Sequence, residues 1–277
     1  MKNIKLVICD IDGTLFDWTN RVLSPKTKEV IQRLKDNGIL FALASGRSVS
    51  ELKPYASEWG FEEQFDFLIG QNGAELYITK EDKKYEYFLL KKEWIQEIIK
   101  FMEPFETNPF CFYHDEGMLC KVHDAMIDRS IATSKRKPIV AKDMSDFWSI
   151  ENAKMMFRMK EELTPVVEKY LEQHPFEFYK GFKTQSTLIE FMDKRISKGY
   201  GLQQLCDKIH ISLDEVIAYG DTTNDNEMLE IAGLGVCLKN GSDDTKAIAD
   251  EITEYVCTED GFARHIEQHL FLSCQLK

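Results

Sequence analysis

Several features are missing from this chain, and each absence removes a class of function. No apolar run approaches the roughly 20 residues that cross a bilayer, so no membrane role is expected. Basic residues are in deficit, 35 against 47 acidic, which leaves a net charge of −12. Nucleic-acid affinity rests on neutralising phosphates with Lys and Arg, so that field argues against a nucleic-acid partner. The seven cysteines are odd in number, scattered, and form no C-x-x-C pair. That pattern speaks against a disulfide framework and a zinc site and fits a reducing, cytoplasmic setting. No signal peptide is expected either: Asp10 and Asp12 interrupt the first apolar stretch early, and no small-residue cleavage site follows.

Ligand loops are absent too. No strand is followed by G-x-G-x-x-G, and G-x-x-x-x-G-K-[ST] does not occur, which removes the common dinucleotide and triphosphate cradles. Asp10-Ile-Asp12-Gly13-Thr14 invites a calcium-loop reading, but the positions needing Gly and Glu hold Leu15 and Arg21.

What is present is an ordinary globular composition, 43% hydrophobic and 30% charged, with 277 residues to build one large domain or two modest ones. Ile4 to Cys9 is a β-branched apolar run that stops at two carboxylates, the mark of a buried parallel strand. Ser24-Pro25 opens a helix whose apolar face is Val30, Ile31 and Leu34, and Gly38 closes it. A second strand over 39–44, a helix to about Trp59 and a third strand over 65–69 continue the alternation. Beyond Asn72 the pattern mixes antiparallel strands with helices, including a hairpin around Asp115-Glu116-Gly117. The parallel pattern resumes with a helix from Lys198, a strand over 216–219, a helix over 224–232 and a strand over 234–238. This predicts an α/β fold: a doubly wound, Rossmann-like parallel-sheet core over 1–80 and 190–277, with an α+β domain over 81–189 inserted into it.

Three polar clusters fall at the carboxyl ends of predicted strands: Asp10-x-Asp12, Ser45-Gly46-Arg47 and Gly220-Asp221-Thr-Thr-Asn224-Asp225. That edge of an open α/β sheet is where ligands bind. Each cluster alone reads as a turn, since Asp and Gly both favour turns. Three converging on one sheet edge do not.

These residues resemble the motifs of the haloacid dehalogenase-like superfamily. Asp10-Ile-Asp12-Gly13-Thr14-Leu15 is similar to its first motif, Ser45 to its second, Lys198 to its third and Gly220-Asp221-Thr-Thr-Asn224-Asp225 to its fourth. Gln71-Asn72-Gly73-Ala74, Asn224-Asp225-x-Glu227-Met228-Leu229 and Glu259-Asp260-Gly261 resemble the Cof-type branch, whose members mostly dephosphorylate sugar phosphates and related metabolites. Some 150 residues separate Arg47 from Lys198, and in that family the gap houses an α+β cap of the C2B type. Thr222, Cys237, Gly241 and Arg195 depart from the branch's usual residues, but none removes a catalytic group.

The resemblance implies a magnesium-dependent phosphatase acting on a small phosphate ester. Asp10 would be the nucleophile, ionised at neutral pH and needing no base to attack phosphorus. Asp12 would serve the leaving group as general acid and then activate water. Mg²⁺ would be held by Asp10, Asp221 and the Asp12 backbone carbonyl, with Asp225 either accepting from its waters or capping a helix. Ser45, Gly46, Lys198 and Asn224 would bind phosphate, Lys198 also balancing transferring charge. Arg47 reads as a surface or packing residue, Asn72 equally as a turn or as site lining, and Lys135-Arg136-Lys137 as a solvated turn. A phosphomutase of the same superfamily is the nearest rival. A non-catalytic phosphometabolite sensor would be expected to lack Asp10, Asp12 or Lys198, and all three are present. The sequence leaves the substrate and the oligomeric state open.

Overall fold

A computed structural model describes residues 3–16, 22–114 and 117–272. The chain first runs through β1 (Leu6–Cys9), α1 (Pro25–Asp36), β2 (Leu40–Ala44), α2 (Val49–Leu52), α3 (Tyr55–Glu58), β3 (Phe67–Gly70), β4 (Glu75–Ile78) and β5 (Lys83–Glu86). It continues through α4 (Lys92–Met102), β6 (Asn108–Tyr113), β7 (Gly117–Cys120), α5 (Ala125–Ser134), β8 (Lys137–Val140), β9 (Met155–Arg158), α6 (Thr164–Gln173), β10 (Tyr179–Gln185) and β11 (Leu188–Asp193). It ends with α7 (Lys198–Ile209), β12 (Val216–Gly220), α8 (Asn226–Ile231), β13 (Leu234–Cys237), α9 (Asp243–Ile248), β14 (Glu251–Ile252) and α10 (Gly261–Ile266), which passes into a π-helical segment, Glu267–Leu272.

Two compact units result: residues up to Tyr85 together with those from Ser197 onward, and Glu86–Ile196. The division falls five to seven residues later than the boundaries expected from sequence at 80/81 and 189/190.

The first unit is built on an eight-stranded sheet in the order β14-β13-β12-β1-β2-β3-β4-β5. From β14 to β3 every pairing is parallel, and β4 then runs antiparallel to β3. β1 lies between β12 and β2 and is wholly buried, which is why its sequence is a continuous apolar run rather than an alternating one. Alternate residues serve opposite faces. Val7, Cys9, Phe41, Leu43, Ile217 and Tyr219 pack with Val30, Ile31 and Leu34 of α1 and Phe262 of α10. Helix α7 covers the other face, close enough that a Cβ on Gly201 would meet the Ile69 side chain at 2.6 Å. The doubly wound α/β class expected from the sequence is what the chain adopts.

Local signals act as read at α1: the Ser24 hydroxyl accepts from the Thr27 backbone N–H at 3.0 Å, and Gly38 takes φ +74° just past the end. The single helix expected up to Trp59 is instead two short ones, α2 and α3. Pro54 lies between them, and it has no N–H to carry the helix on.

The second unit has a six-stranded sheet in the order β10-β11-β9-β6-β7-β8, with antiparallel pairs except β7 with β8. Its core gathers Ile95, Ile98 and Met102 of α4 with Met155, Phe157, Ile189 and Phe191 of the sheet. β6 and β7 pair as the expected hairpin, although Asp115 and Glu116 of its turn lie outside the described residues. The expected solvated turn at Lys135-Arg136-Lys137 is corrected at its centre. Arg136 is buried, its guanidinium donates to the carbonyl of His114, and it lies over the Phe112 ring, 4.1 Å from the centroid.

Candidate active site

Three adjacent parallel strands, β12, β1 and β2, end side by side and deliver Asp221, Asp10 and Ser45 from the loops that follow them. Two glycines let these loops close up. Gly13 takes φ +93°, and a Cβ there would fall 2.3 Å from Asp221 Oδ2. At Gly220 a Cβ would meet that of Asp225 at 2.4 Å.

Lys198 enters from the first turn of α7, which Ser197 caps by accepting from the Tyr200 N–H at 2.9 Å. Its ammonium is wholly buried and donates to Asp10 Oδ1 at 2.5 Å and Asp225 Oδ1 at 2.6 Å. The other oxygen of Asp225 accepts from the backbone N–H groups of Asp221 (2.9 Å) and Thr222 (3.1 Å). Asp225 is therefore the clasp of the fourth-motif loop and a counter-charge for Lys198. Asp225 closes the capping box of the short turn Thr223–Asp225 and makes no side-chain capping bond to α8. Asp221 accepts from the Thr14 hydroxyl at 3.1 Å.

The charges do not balance. Asp10, Asp221 and Asp225 each offer a carboxylate oxygen within 4.8 Å of the others, against the single ammonium of Lys198. Burial pushes the Asp10 carboxyl well above the usual range; Lys198 opposes this, while Asp225 and Asp221 add to it. Burial and then the Asp225 charge raise Asp221 to about 7. For Lys198, burial works against the charged form, but Asp10 and Asp225 outweigh it and hold the ammonium charged beyond its ordinary range. Hard oxygen donors with surplus negative charge are the donor chemistry of a hard divalent cation, and the cluster fits one. Both oxygens of Asp225 are engaged by protein donors, so Asp10 and Asp221 are the side chains best placed to hold it.

Asp12 stands apart from this cluster. Its carboxylate is gripped by Arg47, with Nη2 at 2.7 and 3.0 Å from its two oxygens and Nε at 3.2 Å. The sequence reading of Arg47 as a bland surface or packing residue is corrected: both partners are about nine-tenths buried and form a forked ion pair. Ser45 is buried, and its hydroxyl accepts from the Arg47 N–H at 3.3 Å, so one short loop holds both residues. Beside it Asn72, buried at φ +55°, accepts from the Asn224 side chain at 3.3 Å and lies against Gly46, where a Cβ would come within 3.3 Å of its Oδ1. Asn72 is thus a turn residue and a lining residue together. Asn224 itself is exposed and accepts from the Thr222 hydroxyl at 2.8 Å.

All eight residues singled out from sequence belong to the first unit, at the carboxyl edge of its sheet or on the loops and helix starts beside it. Thr14, Arg47 and Asn72 join them. The available signal for all three was membership of a motif: Thr14 in Asp10–Leu15, Arg47 in Ser45-Gly46-Arg47 and Asn72 in Gln71–Ala74.

Comparison with known proteins shows the family. A phosphatase from Bacillus subtilis, 5-amino-6-(5-phospho-D-ribitylamino)uracil phosphatase YitU, is 27% identical over 96% of this chain and 98% of its own. Phosphatase YwpJ of the same organism is 25% identical, covering 96% of this chain and all of its own. Among solved structures, a haloacid dehalogenase-like hydrolase from Bacteroides thetaiotaomicron superposes with a TM-score of 0.83 at 26% identity, over 96% of this chain and 99% of that one. The haloacid dehalogenase-like hydrolase family matches residues 7–266, and with its motif residues assembled at one sheet edge the chain belongs to that family.

Proposed function

We propose that this hydrolase is a cytoplasmic, Mg²⁺-dependent phosphatase of small phosphorylated metabolites, with Asp10 as its nucleophile. The observation that carries the reading is the charge surplus around Asp10: three buried carboxylates face one ammonium. Such an arrangement is costly unless something positive completes it, and such costs concentrate at functional sites. Asp10 and Asp221 would hold Mg²⁺, joined by the Asp12 backbone carbonyl that the family resemblance suggests. When bound, the ion would offset the repulsion between an attacking carboxylate and a phosphate of like charge.

In the proposed reaction an Asp10 oxygen forms a bond to phosphorus as the bond from phosphorus to the ester oxygen breaks. Asp12 gives its proton to the departing alkoxide. Asp12 then takes a proton from water as that water attacks the phosphoaspartate, which releases inorganic phosphate and restores Asp10. Lys198, fixed by two carboxylates, balances the charge on the transferring group, while Ser45, the Gly46 backbone and Asn224 donate to its oxygens. Because Arg47 occupies both oxygens of Asp12, Asp12 has to turn from Arg47 before it can serve a leaving group. Unit 2, in this reading, is the cap domain that selects the substrate.

The printed names of the relatives support this substrate class. One of them is named for 5-amino-6-(5-phospho-D-ribitylamino)uracil, a small phosphorylated ribityl compound, and no helix among the described residues is long and apolar enough to cross a membrane. The deciding experiment measures phosphate release from a panel of sugar phosphates, sugar-alcohol phosphates, nucleotides, pyridoxal phosphate and p-nitrophenyl phosphate, with Mg²⁺ or with EDTA. Metal-dependent release, abolished in Asp10→Asn, is the expected result. A folded protein that releases phosphate from none of them would overturn the proposal.

A further inference from the structure

A second cluster of metal-ligating side chains lies away from the carboxylates just described. Glu251 comes from the edge strand β14, His265 from α10, and His269 from the π-helical segment that continues it. The two histidines are four residues apart, so one helical face presents both, and their rings stack with centroids 4.1 Å apart. Both Nε2 atoms converge on one carboxylate oxygen: Glu251 Oε2 lies 2.9 Å from His265 and 2.8 Å from His269.

The remaining ring nitrogens decide what this arrangement is for. His269 Nδ1 lies 3.2 Å from the backbone carbonyl of His265, which can only accept. His269 therefore faces an acceptor on each side. A neutral imidazole carries one N–H, so its Nδ1 can satisfy the carbonyl only if its Nε2 meets a cation in place of the bare carboxylate. That cation is either a second proton or a metal ion. His265 Nδ1 lies 2.7 Å from the buried hydroxyl of Tyr219. Each ring thus has a partner on Nδ1 that fixes its orientation and leaves Nε2 turned toward Glu251, which is how ligating histidines are commonly held. Ring nitrogens and a carboxylate are also a donor set unlike the all-oxygen cluster at Asp10.

We infer that Glu251, His265 and His269 form a second metal site, selective for a borderline ion of the zinc class over magnesium. Two imidazole nitrogens and one carboxylate oxygen leave a fourth position for water. Tetrahedral zinc with bonds of about 2.0–2.1 Å sets neighbouring donor atoms about 3.3 Å apart, so the carboxylate need retreat by only about 0.5 Å from its present hydrogen bonds. Glu251 is 40% exposed at its side chain and His269 35%, so the ion has a path from solvent and the carboxylate has room to move. Bound there, the ion would fasten the last helix to the two-residue strand at the sheet's edge.

The test uses the full chain carrying Asp10→Asn and Asp221→Asn, which disables the oxygen-donor cluster. Zn²⁺ is titrated by calorimetry, and the imidazole nitrogen resonances are followed by NMR. One saturable Zn²⁺ per chain is expected, with the Nε2 resonances of His265 and His269 moving together and Mg²⁺ failing to compete. Adding His269→Gln, at a partly exposed position, should weaken binding at least tenfold while the circular-dichroism melt stays cooperative. Glu251→Gln should weaken it in the same way. A His269 ring that is doubly protonated and unmoved by Zn²⁺ would make the cluster a simple ion pair and overturn the inference. Binding unaltered by His269→Gln would overturn it equally.

Discussion

Each unit buries charge, but they do so differently. In the second unit Lys154 meets Glu190 at 3.1 Å, the two 6% and 8% exposed at their side chains. Nearby, Arg158 spreads its guanidinium over Ser130, Gln185 and Thr187 at 2.8–3.1 Å. In the first unit one ammonium faces three carboxylates. A matched buried pair is the usual way a fold tolerates charge; a mismatched cluster is held by the surrounding structure at a cost. Burial of charge alone therefore does not identify a site in this protein. Imbalance does.

The strongest test of that contrast is catalytic. Asp10→Asn removes the proposed nucleophile and one surplus charge together. Phosphate release should fall on the order of 10⁴-fold or more, as when a nucleophile is deleted from other enzymes. The protein should melt no lower than wild type in EDTA. A variant that kept its activity would show that the crowded carboxylates are merely structural.

Stability should then separate the two units. Glu190→Gln removes the buried carboxylate that Lys154 meets and should cost about 3 kcal/mol in denaturant unfolding. Asp221→Asn relieves crowding and should raise the metal-free midpoint. Equal losses in both variants would erase the distinction between matched and mismatched charge.

The pH response sharpens the same point. The carboxyl of Asp221 is raised from its ordinary value to about 7 in the fold, so the folded state binds its proton more tightly than the unfolded chain does. Its contribution is fully present below about pH 4 and is lost as pH rises toward 7. Metal-free protein should therefore lose roughly a few kcal/mol across that window in proportion to this group. Asp221→Asn should flatten the loss, and a pH-melt series in EDTA would show it. The smallest effect is expected at Arg47. Removing its grip in Arg47→Ala should lower kcat/KM roughly tenfold, by freeing Asp12 to wander. An unchanged kcat/KM would return Arg47 to a packing role.

How much of this could be read from the sequence depended on how local the signal was. The run Leu6–Cys9 ending at Asp10, and its counterpart Val216–Gly220 ending at Asp221, declare buried parallel strands with polar tips, so the sheet and its active edge were legible. Lys198 was legible through its motif, but its two carboxylate partners, 188 and 27 positions away, were not. Arg47 went unread because its partner Asp12 lies 35 residues earlier, and only the β1–β2 pairing brings their loops together. His265 and His269 show helical spacing, yet the carboxylate completing them comes from a two-residue strand too short to leave a pattern. β8 was missed for a related reason. It is an edge strand with all four residues exposed, so burial imprints no alternation on it.

The order of strands in the first sheet also bears on how the protein is made. β1 pairs on one side with β2, which follows soon after it, and on the other with β12, whose partner for Cys9 is Tyr219. At about 5–20 residues per second, the ribosome takes roughly 10–40 s to supply that second neighbour. Throughout the interval β1 has one unpaired edge, the kind that invites association with other chains. Glu86–Ile196, by contrast, is one continuous stretch that can complete its own sheet meanwhile. Asp10, at the tip of β1, is not enclosed on both sides until β12 arrives. A nascent chain of this protein should therefore need shelter at β1 until β12 has been made.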